Sequence, residues 1–340
     1  MPHTQSLLAT GFVADLPDEG TLFPSAGGNS ADPRIQAVYW RCIVALFASA
    51  RFTNPDQRLA LFTNVEPPVV DGVNVAEVLE RYRIEIRRVP LKARLAPGTT
   101  SSWGNVLYFH DIMESLVDSG EDPELRIAVV DSDVLVTRPI QPLFALLDDH
   151  EFAGYIVRQT DPGDTVNGLS MREMDQISRF YGATGGELAL HFGGELFMTS
   201  IAAWLRHRPL FTAMLEGAIT RTGPAAGIIT EEHIFSVAFA VLRGKVAHAN
   251  HLIKRIWTSP RYSSVAPGDE RLLLWHLPSE KRYGLRDMFA ALRRGGFPRA
   301  MDIYTFRAMA MEFCGVPRKG LGKILHDGVR QLAAKVGLYK

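Results

Sequence analysis

The segment Leu125-Arg-Ile-Ala-Val-Val-Asp131-Ser-Asp133-Val-Leu-Val136 limits this chain more than any other. A run of apolar, β-branched residues predicts a buried strand. It delivers two carboxylates where such a strand ends, and that end of an open α/β sheet is where ligands sit. In extended backbone, side chains at i and i+2 point the same way, so Asp131 and Asp133 face one side. Two hard oxygen ligands suit Mg²⁺ or Mn²⁺, and such a cation suits a phosphate-bearing substrate. The competing reading is a solvated Asp-Ser-Asp turn, since these residues favour turns. Against it, Val134, Leu135 and Val136 continue the apolar run. Charge set within buried sequence is costly unless it is paired or metal-bound.

The flanking chain predicts an α/β architecture. Strands are expected over 7–13, 58–63, 84–89, 152–157 and 195–198, and over 271–275 ending at His276. Helical spacing marks 35–47, 75–82, 105–117, 170–181 and 231–242, and the chain from Gly284 onward is mostly helical. Strands alternating with helices imply a parallel-rich sheet. Residues 17–33, rich in Gly, Pro, Ser and Asp, read as a loop, and 158–170 as a polar segment able to cover a substrate.

Composition removes several classes. With 37 Lys and Arg against 37 Asp and Glu, the 340-residue chain has no global field for nucleic acid. Two cysteines, Cys42 and Cys314, make no disulfide framework, and a reducing cytoplasm is the expected home. We find neither a signal-peptide pattern nor an apolar run of membrane-spanning length.

In order along the chain, four motifs resemble glycosyltransferases of the GT-A fold, closest to family 8, the galactosyltransferase/glycogenin-like group. The first is Asp131-Ser132-Asp133 with the following apolar segment and Pro139 and Pro142. The second is Phe192-Gly193-Gly194-Glu195, where the family carries Phe-Asn-Ser/Ala-Gly. The third is Glu231-Glu232, where it opens a helix with Asp-Gln-Asp. The fourth is His276 to Tyr283, where it carries His-x-x-Gly-x-x-Lys-Pro-Trp. This last copy is one residue shorter between His276 and Lys281, lacks the Gly, and has Arg282-Tyr283 for Pro-Trp. The resemblance covers roughly residues 5 to 290.

The resemblance implies a GT-A catalytic domain over 1–290, with a nucleotide-binding half to 145 and an acceptor-binding half from 146, then a helical extension over 291–340. It implies a metal-dependent, hexosyltransferase-type enzyme with a nucleotide-sugar donor, most often a UDP-sugar, and retention of configuration. The acceptor is a glycan, a lipid-linked molecule or a small molecule. The metal, Mn²⁺ or Mg²⁺, falls to Asp131, Asp133 and His276, and the diphosphate to Lys281. Gly193 and Gly194 allow close approach of the sugar, with Glu195 near its hydroxyls. Glu232, beside the reacting carbon, and Glu231 are the catalytic carboxylates together with Asp133. Nucleoside contacts are expected from Ala9, Thr10, Gly11, Thr63, Asn64, Ser102, Trp103, Asn105, Asp131 and Ser132.

Each residue also has a plain structural role. His276 suits a core histidine, Lys281 a surface charge, the glycines a bend, and Trp103 the core. Two other functions fit parts of the pattern. A phosphatase of the haloacid dehalogenase type also ends a strand in Asp-x-Asp, though near its N-terminus. A non-catalytic nucleotide-sugar-binding protein fits a divergent last motif. In the tail, Leu321, Leu325, Val329, Leu332 and Val336 are spaced helically among Lys319, Lys323, Arg330, Lys335 and Lys340. Such a helix lies on an anionic membrane or docks on the catalytic domain.

Overall fold

Strands and helices alternate through the first half because apolar periodicity switches between two and 3.6 residues. In the computed structural model this resolves into a mixed α/β fold. The structure describes residues 6–158, 161–185, 189–259 and 262–335. Ten strands concern us: β1 Ser6–Phe12, β2 Arg58–Thr63, β3 Glu85–Arg88, β4 Arg126–Val130, β5 Val134–Val136, β6 Phe152–Arg158, β7 His191–Ser200, β8 Val246–His248, β9 Ile253–Arg255 and β10 Leu274–His276. The helices are α1 Pro33–Thr53, α2 Val75–Arg81, α3 Tyr108–Asp118, the single turn α4 Gln141–Phe144, α5 Met171–Phe180, α6 Ile201–Thr220, α7 Glu231–Val241, α8 Gly284–Arg294, α9 Ile303–Cys314 and α10 Leu321–Lys335.

The central sheet has seven strands in the order β8-β6-β7-β4-β1-β2-β3. The strands β4, β1, β2 and β3 run parallel, and β7 lies antiparallel to both β4 and β6. Along β1 and β4, period two separates two apolar layers. Leu8, Ala128 and Val130 join α1, α2, α8 and α9 through Trp40, Phe47, Leu79, Phe289 and Phe306. Leu7, Ala9, Ile127 and Val129 face α3, α5, α6 and α7 through Met113, Met174, Trp204 and Phe235. Both sheet faces are covered, which explains the near-continuous apolar strands.

Two expectations change. The segment 125–136 is two strands in two sheets. Val134 N–H donates to the Asp131 carbonyl at 3.2 Å, and the chain turns there. Beyond the turn, β5 joins a three-stranded sheet in the order β9-β10-β5. The chain does turn at Asp-Ser-Asp, but the turn is not solvated, because other chain covers it: Ser132 is 8 % and Asp133 1 % exposed. The strand expected over 271–275 is only Leu274–His276, since Asp269–Arg271 forms a 3₁₀ turn. The segment 201–220, for which no element was assigned, forms the long helix α6.

Beyond residue 290, Phe306, Ala310, Cys314 and Val316 lie in the same apolar layer as α1. Cys42 and Cys314 are both buried and free. The helix α10 docks through its charged face. Lys323 Nζ lies 2.8 Å from Glu280 Oε2, and the Arg330 guanidinium lies 2.7 Å from Asp287. Val336 and Lys340 fall outside the described residues, as do the side chains of Leu332 and Lys335. Among the described residues, no helix is long and apolar enough to cross a membrane.

Candidate metal and nucleotide site

The parallel strands β1 and β4 end at a cavity of about 430 Å³. Gly11, Phe12 and Val13 line it from the end of β1, and Val129 to Asp133 from the end of β4 and the turn after it. Gly194 of β7, Glu231 and Glu232 of α7, and His276 and Lys281 complete its polar wall. Tyr39, Trp103 and Trp257 supply aromatic surface.

The register of the small sheet assembles the centre. Val134 of β5 pairs with His276 of β10, and His276 pairs with Arg255 of β9. The turn is pinned from both sides. Asp131 N–H donates to the Glu195 carbonyl at 3.3 Å, and Leu277 N–H donates to the Asp133 carbonyl at 3.0 Å. His276 Nε2 then lies 3.3 Å from Asp131 Oδ2 and 3.3 Å from Asp133 Oδ2. One donor atom from each of these residues falls within 4.8 Å of the others.

The donor set fits a divalent cation. Two carboxylates and one imidazole suit Mn²⁺ or Mg²⁺, with nitrogen favouring the former. The other imidazole nitrogen, Nδ1, lies 3.3 Å from Glu195 Oε1. A carboxylate at Nδ1 fixes the proton there and turns Nε2 toward the cation site.

Charge in this centre is balanced closely. Burial alone would raise Asp133, but the Lys281 ammonium, which donates to its Oδ2, and His276 hold it well below the usual range. Asp131 keeps 46 % of its side chain open to the cavity. Withdrawal from bulk water still pushes it up to about 6, against the pull of His276. Burial would lower His276, yet Asp133 and Glu195 hold it up at about 9.

A second charged chain runs behind the first. Arg255 donates to Glu195 at 2.8 and 2.6 Å and to Glu232 at 2.7 Å. Glu232 also lies 3.3 Å from His191 Nε2 and accepts from Asn167 Nδ2 at 3.1 Å. Although Glu232 is buried, His191 and Arg255 hold it down at about 2. Its neighbour Glu231 goes the other way. Burial, then the charges of Glu232 and Asp131, raise it well above the usual range. Its Oε2 is buried without a hydrogen-bond partner. Two adjacent carboxyl groups thus sit in one cavity wall with their ionisation pushed in opposite directions.

The two glycines serve this wall. A Cβ on Gly193 would fall 1.9 Å from Glu195 Oε2, and one on Gly194 would fall 2.0 Å from Glu231 Oε1. Gly194 lines the cavity, whereas Gly193 makes room for the Glu195–Arg255 pair. Glu195 itself, expected beside sugar hydroxyls, is fully buried and turned to Arg255 and His276.

Other expected contacts sit elsewhere. Ala9 and Thr10 are fully buried within β1, and the Thr10 hydroxyl donates to the Val130 carbonyl. The cavity wall begins one residue later, at Gly11. Asn64 is a brace between strand ends, accepting from Ala14 N–H at 2.9 Å and donating to its carbonyl at 3.0 Å. Ser102 bridges to Leu22. Trp103, Asn105 and Ser132 do line the cavity. Trp103 is 36 % exposed and holds φ at 55°, a conformation uncommon for a bulky residue. Sequence reasoning missed Arg255 and His191. Nothing in the short apolar stretch before Arg255 marks it as the partner of two distant glutamates.

Fold and site together define a mixed α/β protein with a carboxylate–imidazole cluster and a buried ammonium at the C-terminal ends of parallel strands. No known family profile and no curated protein sequence matches the chain. Similar solved structures include the galactosyltransferase LgtC in complex with donor and acceptor sugar analogues, at 13 % identity and TM-score 0.47, covering 93 % of this chain and 99 % of that one. Mouse xyloside xylosyltransferase 1 in its apo form has 13 % identity and TM-score 0.43, covering 80 % and 97 %. The glycosyltransferase GlyE of Streptococcus pneumoniae TIGR4 has 12 % identity and TM-score 0.44, covering 89 % and 63 %.

Proposed function

We propose that this chain is a metal-dependent GT-A glycosyltransferase that moves a hexose from a nucleotide sugar, a UDP-sugar first among them, to a glycan, lipid-linked or small-molecule acceptor. What carries the reading is the meeting of Asp131, Asp133 and His276 in one cluster, with the Lys281 ammonium on the same carboxylate. Those four residues come from two segments far apart in sequence, and they are the ones the family motifs single out.

Breaking the glycosidic bond of a nucleotide sugar puts negative charge on a departing diphosphate. Asp131, Asp133 and His276 would hold a divalent cation, which would supply charge neutralisation there. Lys281 supplies a second positive charge from the same wall. Trp103 and Tyr39 offer aromatic surface to the nucleoside side of the cavity. Glu231, its carboxyl pushed toward the protonated form, donates a hydrogen bond to a sugar hydroxyl, which also gives its orphaned oxygen a partner. Ionised Glu232, held by Arg255, stabilises positive charge growing at the anomeric carbon. With Glu232 tied down by three partners, we place it as an electrostatic support, in keeping with retention, and not as a mobile base.

A thermal-shift panel tests the reading. UDP-, GDP-, dTDP- and CMP-sugars are each added with Mn²⁺ or with chelator. One nucleotide class is expected to raise the melting temperature only with metal, because a ligand selective for the native state stabilises it. No shift in any well, combined with hydrolysis of a phosphomonoester, would transfer the site to the phosphatase class. A metal-dependent shift without turnover on any acceptor would leave a binding protein.

A pH dependence follows from the charges. The cation needs His276 neutral, and its neighbours keep it protonated up to about 9 in the metal-free protein. Asp131 in turn is protonated below about 6. Mn²⁺ affinity is therefore expected to climb from about pH 6 to about pH 9, with proton release on binding. Calorimetric titration in buffers of different ionisation enthalpy reads both, and a flat profile would remove His276 from the ligand set.

A further inference from the structure

The polar segment before α5 folds into a short hairpin. Thr165 and Val166 pair antiparallel with Ser170 and Leu169. The residues between them, Asn167 and Gly168, hold φ at 47° and 92°. Asn-Gly is the pair that accepts positive φ at both central positions of a two-residue hairpin turn. The hairpin is pinned to the domain. Val166 and Leu169 lie in the apolar layer that holds α5 and α7. His233, fully buried on α7, takes the Ile229 N–H on Nδ1 at 3.2 Å, so its proton sits on Nε2 and donates to the Val166 carbonyl at 2.7 Å. The tip therefore places Asn167 in the cavity wall, next to Glu232. A carboxylate only accepts, so the amide nitrogen faces it, and this leaves the amide oxygen and a second N–H for a ligand.

Two more groups in this wall are unpartnered. Thr230 precedes α7, yet its hydroxyl caps no backbone N–H. Thr230 Oγ1 and Glu231 Oε2 are both buried without a hydrogen bond, and both residues line the cavity. Buried polar atoms ordinarily find partners, and one left without them is costly. Asn167, Thr230 and Glu231 together offer donors and acceptors of the kind that read hydroxyl groups. Charge then sets what else the wall tolerates. Asp131, Asp133, Glu231 and Glu232 line the cavity, against the cations Arg255 and Lys281 besides His276. Lys281 meets Asp133, and Arg255 meets Glu195 and Glu232. The divalent cation of the proposed reaction is engaged by the diphosphate. Among the described residues of this wall, each cation already meets a carboxylate, and none is left over for an acidic sugar.

We infer that Asn167, Thr230 and Glu231 form a hydroxyl-reading pocket that selects an uncharged hexose as the transferred sugar and rejects a hexuronic acid. The inference rests on the glycosyltransferase reading and narrows its donor. A hexose and its uronic acid differ only at C6, a hydroxymethyl group in one and a carboxylate in the other. A carboxylate brought to this wall would meet Glu231 and Glu232 without a free cation, and like charge at close range discriminates strongly.

Calorimetric titration of the full chain with Mn²⁺ compares UDP, UDP-glucose, UDP-galactose, UDP-glucuronate and UDP-galacturonate. At least one hexose donor is expected to bind at least about tenfold more tightly than its uronate counterpart. Two variants test the residues. Asn167→Gly keeps the positive φ and removes the amide. Thr230→Val keeps the shape and removes a hydroxyl that bonds nothing, so its melting temperature should not fall. Each should weaken the preferred UDP-hexose by about three- to tenfold while UDP itself binds as before. A role in holding the fold alone would weaken UDP and UDP-hexose together, and that result would overturn the inference. So would a uronate that binds as tightly as its hexose. Manganese-dependent binding of UDP with no preference among the sugars would sink this inference and leave the glycosyltransferase reading standing. No manganese-dependent binding of any of these nucleotides would take both away.

Discussion

Asp133→Asn is expected to remove metal-dependent nucleotide binding and leave a folded, less stable protein. Asn keeps the shape of the side chain but loses the negative charge that a cation needs. Asp133 is 1 % exposed and shares its oxygen with His276 and Lys281. Losing a charged ligand should cost at least about 100-fold in Mn²⁺ affinity, since even groups that only support a ligand are worth about 10–100-fold. The buried Lys281 ammonium would then face a neutral amide. Breaking one side of a buried ion pair costs about 3–5 kcal/mol, and the retained hydrogen bond places Asn at the low end. Asp133→Asn/Lys281→Met should regain part of that stability, because the uncompensated charge is gone, while metal binding stays lost. Urea denaturation and manganese titration separate the two effects. A metal-dependent nucleotide shift that survives in Asp133→Asn would exclude Asp133 as a ligand.

The second large effect lies in a residue outside every recognised motif. Arg255→Met should destabilise the fold by about 3–5 kcal/mol at neutral pH. It would leave Glu195, fully buried, and Glu232, close behind, without the guanidinium that separates them. The sign of the pH effect follows. Burial works against ionisation of both carboxyls, but Arg255 and the neighbouring histidines hold them below the ordinary 4.5. Groups with depressed values contribute stability that is complete above 4.5 and is lost as pH falls toward about 2. Without Arg255 that contribution disappears, so the gap between Arg255→Met and the unaltered chain should narrow on acidification. Chemical denaturation at neutral and acid pH measures this, and a gap independent of pH would mean that Arg255 matters only through packing. Metal affinity should fall as well, since a displaced Glu195 no longer orients His276.

Much of the fold was legible because its signals are local. The spacing of Ile35, Val38, Cys42 and Leu46 marks α1, and Arg58 to Thr63 reads directly as β2. Asp131 and Asp133 stood out because carboxylates set within an apolar run are conspicuous, whereas Glu231, Glu232, His276 and Lys281 were picked out only by the resemblance of their motifs to a family pattern. Element ends were less legible. The break after Val130 depends on a partner strand more than a hundred residues away, and β10 is only three residues long because a 3₁₀ turn precedes it. Ala9 and Thr10 were placed one or two residues too early along β1, since the point where a strand leaves the sheet is decided by its neighbours and not by its own pattern.

The sequence by itself determined where strands and helices alternate and where two carboxylates interrupt an apolar run, since both follow from periodicity and residue type within short windows. It also determined that the last helix is amphipathic. Only the tertiary structure decided which side of that helix meets the body: Lys323 and Arg330 pair there with Glu280 and Asp287, and the apolar stripe faces outward. Only the tertiary structure joined His276, Glu195, Arg255 and Glu232 into one charged chain. Strand register pairs His276 with Arg255, and the packing of the two sheets and the helix α7 adds Glu195 and Glu232, across distances in sequence over which no local pattern extends.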